Sequence, residues 1–354
     1  MNLSDLKVPP ENTKQITLDK IDRGPLGKVA PILSLFSTVA PPSDYSPSRS
    51  GNSCYMVTVG ISHYCEKARW CMDLMRADKE NDFDYYESAH VPGLAALYTT
   101  ALDGGVSATP IVKFADGEVV WDSTKVMDKV VPKAFEEEGG REIEEWMDEK
   151  LGSGTRCYAY YHLLGGDPEL LTELATDQTS WVESKIFGLM ARKGMIQPGM
   201  KKFMGIDKGA MEDSEATIRR VFDEIGEKIE EGDGDFIMGN RFTRADLTFA
   251  ALASPLLNLS QFKNSQRLYE KFPKALKDMS SELRSHPAGL HAIKCYDEYR
   301  GGKMGKDGRV EKGVMQAVRL RQGQRNRLGV IAGVAAAVGV GAAAVVGGVV
   351  GVVG

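Results

Sequence analysis

The chain predicts a small α/β domain, then an all-α domain, then a single C-terminal transmembrane helix. Three observations carry that expectation. Within residues 54–132, strand-like and helix-like runs come in the order β-α-β, a connection, then a β-hairpin and a helix. Across 141–300 strand character disappears and apolar residues recur at helical spacing. From Leu328 to Gly354 no side chain is polar.

Residues 1–53 carry prolines at 9, 10, 25, 31, 41, 42 and 47 and a Ser-rich end, which reads as an extended or disordered leader. Its apolar patch from Pro31 to Phe36 is too short to span a membrane. Tyr55-Met56-Val57-Thr58-Val59 then reads as a buried strand, and Cys65 to Met75 has helical periodicity. Phe83 to Ser88 is a second strand. After a Gly- and Ala-rich connection, Ala108 to Phe114 and Glu118 to Trp121 form a hairpin around Asp116-Gly117, and Asp122-Ser123-Thr124 opens a helix over 125–131.

Helices are expected over 142–161, 168–190, 213–231, 243–257 and 272–300. Ile218, Val221, Phe222, Ile225 and Ile229 mark one buried stripe. Thr243-Arg244-Ala245-Asp246 reads as a capping box before a run that is apolar nearly all round, so that helix belongs at the centre of its domain, with Asp246 as its structural cap. Residues 301–327 turn polar and basic and read as a linker. The final 27 residues give about 40 Å of helix, enough to cross a hydrocarbon core of roughly 30 Å.

The net charge of −5, with no basic domain, excludes a nucleic-acid-binding reading. Five scattered cysteines (Cys54, Cys65, Cys71, Cys157, Cys295) show neither zinc-like pairing nor a disulfide framework, so no metal is expected and a reducing, cytosol-facing compartment is. No signal peptide is expected at the N-terminus, and its acids disfavour an organellar presequence.

The stretch that suggests chemistry is Gly60-Ile61-Ser62-His63-Tyr64-Cys65. A strand that turns through a hydroxyl residue into a helix sets that hydroxyl beside unpaired N–H groups, where an anion or a thiolate is stabilised. Ser62 can equally be a plain helix cap. Ser62-x-x-Cys65 also has the shape of a redox turn whose first thiol is replaced by a hydroxyl. His63 and His90 have no partners that complete a catalytic set, which leaves them structural or solvent-facing roles.

The stretch from Ser62 to Trp70, Ala108-Thr109-Pro110-Ile111-Val112, Asp122-Ser123, and Gly239 to Leu247 together resemble the cytosolic glutathione transferase superfamily, over about residues 54–300. That resemblance implies a thioredoxin-like domain over 54–132 and an all-helical domain over 141–300. It implies Ser62 directed at the sulfur of glutathione as co-substrate, with Cys65 as a further candidate catalytic thiol. It also implies a cis bond before Pro110, Thr109 pairing with the peptide through its backbone, and Asp122 and Ser123 holding the γ-glutamyl end. A loop of uncharged residues, 104–108, stands where many members have a basic one. Ser62, where a redox-type member has Cys, argues for conjugation over thiol–disulfide exchange. The methionines and tyrosines between 146 and 204 are candidates for lining the cleft that takes the second substrate.

The leading expectation is a membrane-anchored glutathione transferase acting on small apolar electrophiles or peroxides, as in detoxification. The alternative is a transferase-like fold kept as an adaptor on an organelle surface, in organelle dynamics or protein import. Arg319, Arg321, Arg325 and Arg327 place the soluble domains on the cytosolic side of the mitochondrial outer membrane, the endoplasmic reticulum or a plastid envelope. Small residues four apart along 328–354 imply a homodimer packed within the membrane.

Overall fold

A computed structural model describes residues 53–93, 95, 99 and 108–320, together with a two-residue antiparallel pairing of Val39–Ala40 with Gln324–Arg325. The rest of the expected leader and the expected transmembrane segment lie outside the described residues, as does the loop at 104–107. Among the described residues, no helix is long and apolar enough to cross a membrane.

The α/β part follows the expected order. Strand β1 (Ser53–Val59) leads through a short turn into helix α1 (His63–Ala77), and β2 (Asp84–His90) pairs parallel to β1. Strands β3 (Ile111–Lys113) and β4 (Val119–Trp121) form the antiparallel hairpin, with Gly117 at φ 89° in its turn, and α2 (Ser123–Val130) follows. Strand β3 pairs antiparallel with β1, so the sheet order is β2-β1-β3-β4, a thioredoxin-like arrangement. β1 sits inside the sheet and its last four residues are buried, including Thr58, whose hydroxyl donates to Glu87 at 2.5 Å.

The helical part begins with α3 (Gly140–Met147), which runs through a π-helical turn at Asp148–Gly152 into α4 (Ser153–Gly165). The expected helix over 168–190 is two, α5 (Pro168–Ala175) and α6 (Trp181–Arg192), because Ser180 caps a new start by accepting from the Glu183 amide. Helix α7 (Gln197–Met204) and the short α10 (Lys263–Leu268) were not anticipated, since neither carries a sustained apolar stripe. Helix α8 (Lys208–Glu231) buries Ile218, Val221, Phe222 and Ile225 as expected. The run over 272–300 is broken into α11 (Lys274–Ser285) and α12 (Pro287–Tyr299), because the residue before a proline is driven out of the helical region and His286 is extended.

Helix α9 (Arg244–Ala253) lies at the centre, with all ten residues buried, and packs on α1, α3 and α12. Each fully buried Leu or Phe along it contributes roughly 1.5–3 kcal/mol relative to exposure. Asp246 closes the expected capping box: its Oδ2 accepts from the Thr243 amide at 2.8 Å, while Oδ1 accepts from the Ile237 amide at 2.9 Å and lies 2.9 Å from His291 Nε2.

Helix α1 departs from the amphipathic expectation. Glu66, Lys67 and Arg69 are all buried, each inside an ion pair. Arg69 grips Glu87 of β2 with two hydrogen bonds, at 2.9 and 2.7 Å, and Glu66 with a third at 2.5 Å. Arg300, just past α12, donates to Glu66 at 2.6 Å and to Asp73 at 2.9 Å. Lys67 Nζ reaches Glu144 and Asp148 at 2.6 Å, and Thr124 Oγ1 at 2.6 Å. These contacts tie α1 to the sheet, to α2 and α3, and to the end of the helical domain. Leaving one partner of such a buried pair alone costs about 3–5 kcal/mol.

Residues 301–320, expected as the first part of a linker, are packed. A hairpin of β5 (Lys303–Met304) and β6 (Val310–Glu311) lies against α1, where the Met304 carbonyl accepts from Asn81 at 2.7 Å. The chain then crosses to the helical domain, where the Val318 amide donates to the Gln261 carbonyl and the Leu320 amide to Gln178 Oε1, both at 2.9 Å. Its basic residues point outward while Met304, Val318 and Leu320 turn in, a division that charge counting alone does not reveal.

Candidate active site

One edge of the sheet collects the sequence-predicted residues. The register pairs Val57 with Ile111, so continuing it sets Thr109 opposite Val59, three residues before Ser62. Trp121, the last residue of β4, pairs with Ile111, and the Asp122 amide donates to the Pro110 carbonyl at 3.3 Å. The Thr109–Pro110 peptide is cis. The N-termini of α1 and α2 therefore open at the same edge, on either side of the Thr109–Pro110 turn. Two helix N-termini present unpaired N–H groups and the positive ends of two dipoles, which suits anionic groups.

At α1, Ser62 is extended (φ −78°, ψ 122°), its amide donates to the Val59 carbonyl at 3.0 Å, and its Oγ accepts from the Cys65 amide at 3.4 Å. It is half-buried and lines a cavity of about 550 Å³ between the sheet edge and the helical domain. Oγ also pairs with the Cys65 thiol, and a hydroxyl is a rotor, so its O–H can be turned toward that cavity instead.

Cys65, one turn further on, is 0 % exposed and does not line the cavity. Burial pushes its thiol above the ordinary range, against hydrogen bonds with Ser62 and Val59. The expectation that Cys65 serves as a second reactive thiol is not met by this placement, because nucleophilic cysteines need exposure and a depressed pKa.

At α2, Asp122 is the cap, accepting from the Thr124 and Lys125 amides at 2.8 and 3.2 Å. It is exposed and held at φ 82°, a region that non-glycine residues avoid. Ser123 is only 2 % exposed, and neither residue lines the cavity. The structure thus brings Thr109, Pro110, Asp122 and Ser123 into one cluster, beside the cavity that Ser62 faces.

His63 is structural, as expected: its Nε2 donates to the Gly152 carbonyl at 2.9 Å, and burial pushes its pKa down to about 3. Gly152 also lets Tyr64 approach, since a Cβ there would stand 2.3 Å from the Tyr64 hydroxyl, which donates to the Asp148 carbonyl. The π-helical turn is where α1 and the helical domain interlock. His90 is likewise structural, 3.1 Å from Glu183 and 2.8 Å from Ser88 Oγ.

The cavity wall opposite Ser62 is α4, with Arg156, Ala159, Tyr160 and Leu163 on one face at helical spacing. Arg156 makes no ion pair among the described residues. Burial pushes the Tyr160 phenol up, which keeps it a neutral donor. Of the methionines and tyrosines between 146 and 204, only Tyr160 lines this cavity. Arg156 was missed because a lone arginine in a helical run reads as solvated. The signal was the i, i+3, i+4, i+7 spacing it shares with Ala159, Tyr160 and Leu163. Among the described residues, no group of three or more His, Cys, Asp or Glu side chains is placed to hold a metal ion.

No known protein family profile matches the sequence, and no curated protein does. Solved structures do. A glutathione transferase from Populus trichocarpa is 10% identical with a TM-score of 0.39, the match covering 68% of this chain and 98% of that one. One from Rhodospirillum rubrum is 16% identical with a TM-score of 0.38, covering 68% and 91%. A theta-class enzyme from Xanthomonas axonopodis, solved with glutathione bound, is 12% identical with a TM-score of 0.36, covering 68% and 97%.

Proposed function

We propose that this protein is a glutathione transferase-like enzyme. It binds glutathione across the sheet edge and activates its thiol at Ser62 for attack on small apolar electrophiles or peroxides. The observation that carries this reading is the convergence of the α1 and α2 N-termini beside the Thr109–Pro110 turn, with Ser62 facing a cavity of about 550 Å³. A cavity of that size suits a small-molecule ligand. The peptide lies along Thr109 like an added strand, its sulfur at Ser62 and its γ-glutamyl end toward Asp122 and Ser123. Donation from Ser62 Oγ–H, with the α1 N-terminus behind it, favours thiolate over thiol. The released proton passes to solvent. The thiolate then forms a C–S bond with an electrophilic carbon held against Ala159 and Leu163 of α4, and the leaving group departs or the adduct takes up a proton.

The adaptor reading draws on a specific observation, the near-complete burial of Ser123. Retention on immobilised glutathione, followed by a conjugation assay, separates the two. An enzyme is retained and turns over, and an adaptor does neither. In the same proposal residues 328–354 anchor the protein in an organelle membrane as a homodimer, with the folded part facing the cytosol. Resistance to carbonate extraction, with the folded part digested by protease added outside the organelle, is the expected result.

A further inference from the structure

The cavity that begins at Ser62 continues away from the sheet into the helical domain, where Leu276 and Ser280 of α11 line it. Leu276, Met279, Ser280 and Leu283 make up the buried face of α11. A serine in that stripe is anomalous. Ser280 is 2 % exposed, and its Oγ meets no hydrogen-bond partner among the described residues. Two neighbours show how such a hydroxyl is ordinarily satisfied: Ser285 on the same helix donates back to the Ser281 carbonyl at 3.3 Å, and Ser254, also on the cavity, bonds with Tyr296. A buried hydroxyl without a partner costs free energy that an alanine there would not. Between them, Leu163, Leu174, Phe262, Phe272 and Leu276 supply apolar lining to a cavity that also carries polar side chains such as Gln178 and Asn258.

We propose that the cavity takes an elongated, largely apolar acceptor with a hydrogen-bond-accepting oxygen at the end remote from its electrophilic carbon, received by Ser280 Oγ–H. The placement of the electrophile at Ser62 rests on the transferase reading; the pairing at Ser280 does not. A site built to pair with an oxygen discriminates against the analogue that lacks it, because its own buried hydroxyl is then left unpaired.

The test separates the two. Without glutathione, binding of 4-(2-naphthyl)butan-1-ol and of 2-butylnaphthalene to the full chain is followed by naphthalene fluorescence anisotropy, in wild type and Ser280→Ala. The expected result is an alcohol-over-hydrocarbon affinity ratio at least fivefold higher in wild type, with the hydrocarbon bound equally by both proteins. An unchanged ratio overturns the proposal. With glutathione, trans-2-nonenal is compared with its 9-hydroxy counterpart, and the kcat/KM preference for the hydroxylated aldehyde is expected to fall by the same factor in Ser280→Ala. If the binding ratio shifts while neither aldehyde is conjugated, the Ser280 pocket stands and the transferase reading falls. If both aldehydes are conjugated with a ratio that Ser280→Ala leaves unchanged, the proposal falls and the transferase reading stands.

Discussion

The two helix N-termini at the sheet edge are built from similar residues and do different things. Both follow a strand, and both are capped by a short polar side chain that accepts from amides of the first turn. At α1 the cap is an unstrained serine, half-buried on a cavity. At α2 the cap is an exposed aspartate at positive φ, and the serine that follows is enclosed. The difference teaches that a helix N-terminus is only a favourable field. What the field acts on is decided by the surroundings, and the cavity opens at Ser62 but not at Ser123.

The sharpest way to break the comparison is Ser62→Ala. Loss of the one donor aimed at the sulfur is expected to lower conjugation by about 10- to 1,000-fold, with the fold intact and about 1 kcal/mol of stability lost with the cap. Steady-state kinetics beside a thermal melt checks it. Equal activity would shift the task to the backbone amides of α1.

His63, next to that donor, sharpens the comparison through pH. Its pKa of about 3 lies below the ordinary 6.5, so between those values the unfolded chain binds the extra proton. Stability is therefore expected to fall as pH drops from about 6.5 toward 3, by up to about 1.4 kcal/mol per pH unit from this group. His63→Gln keeps a donor for the Gly152 carbonyl but does not titrate. Urea midpoints measured across that window should slope less in the variant, and parallel slopes would refute the assignment.

At α2 the effect is on stability. Asp122→Ala loses the cap and keeps the positive φ, and is expected to cost about 2 kcal/mol. Asp122→Gly loses the cap but tolerates the backbone, so it should cost about 1 kcal/mol less than the alanine. Equal losses in chemical denaturation would mean that the backbone at Asp122 is not strained. The smallest effect is expected from Ser123→Ala, a several-fold weaker glutathione affinity with kcat nearly unchanged, since this residue stands at the far end of the peptide from the sulfur. A turnover defect at unchanged affinity would erase the proposed division between the two helix starts.

Much of this architecture is legible in the sequence. The β-α-β-then-hairpin order of the first domain, the α8 stripe, the capping box at Asp246 and the position of Ser62 between strand and helix are all local patterns, set by periodicity and by backbone groups a few residues apart. The helix breaks at Ser180 and Pro287 were also written locally, in a cap and a proline, but lay hidden inside long apolar runs. Tertiary structure alone decided the rest. Glu66, Lys67 and Arg69 look like a solvated helix face until Glu87, Glu144 and Arg300 arrive from as far as 234 residues away. Cys65 looks reactive until the turn closes over it, and residues 301–320 look like a linker until Val318 and Leu320 find the cavity wall. The physical reason is common to all three. Whether a polar group is solvated, paired or stranded depends on which distant atoms exclude water from it, and the sequence fixes its charge and hydrogen-bonding capacity without fixing its neighbours.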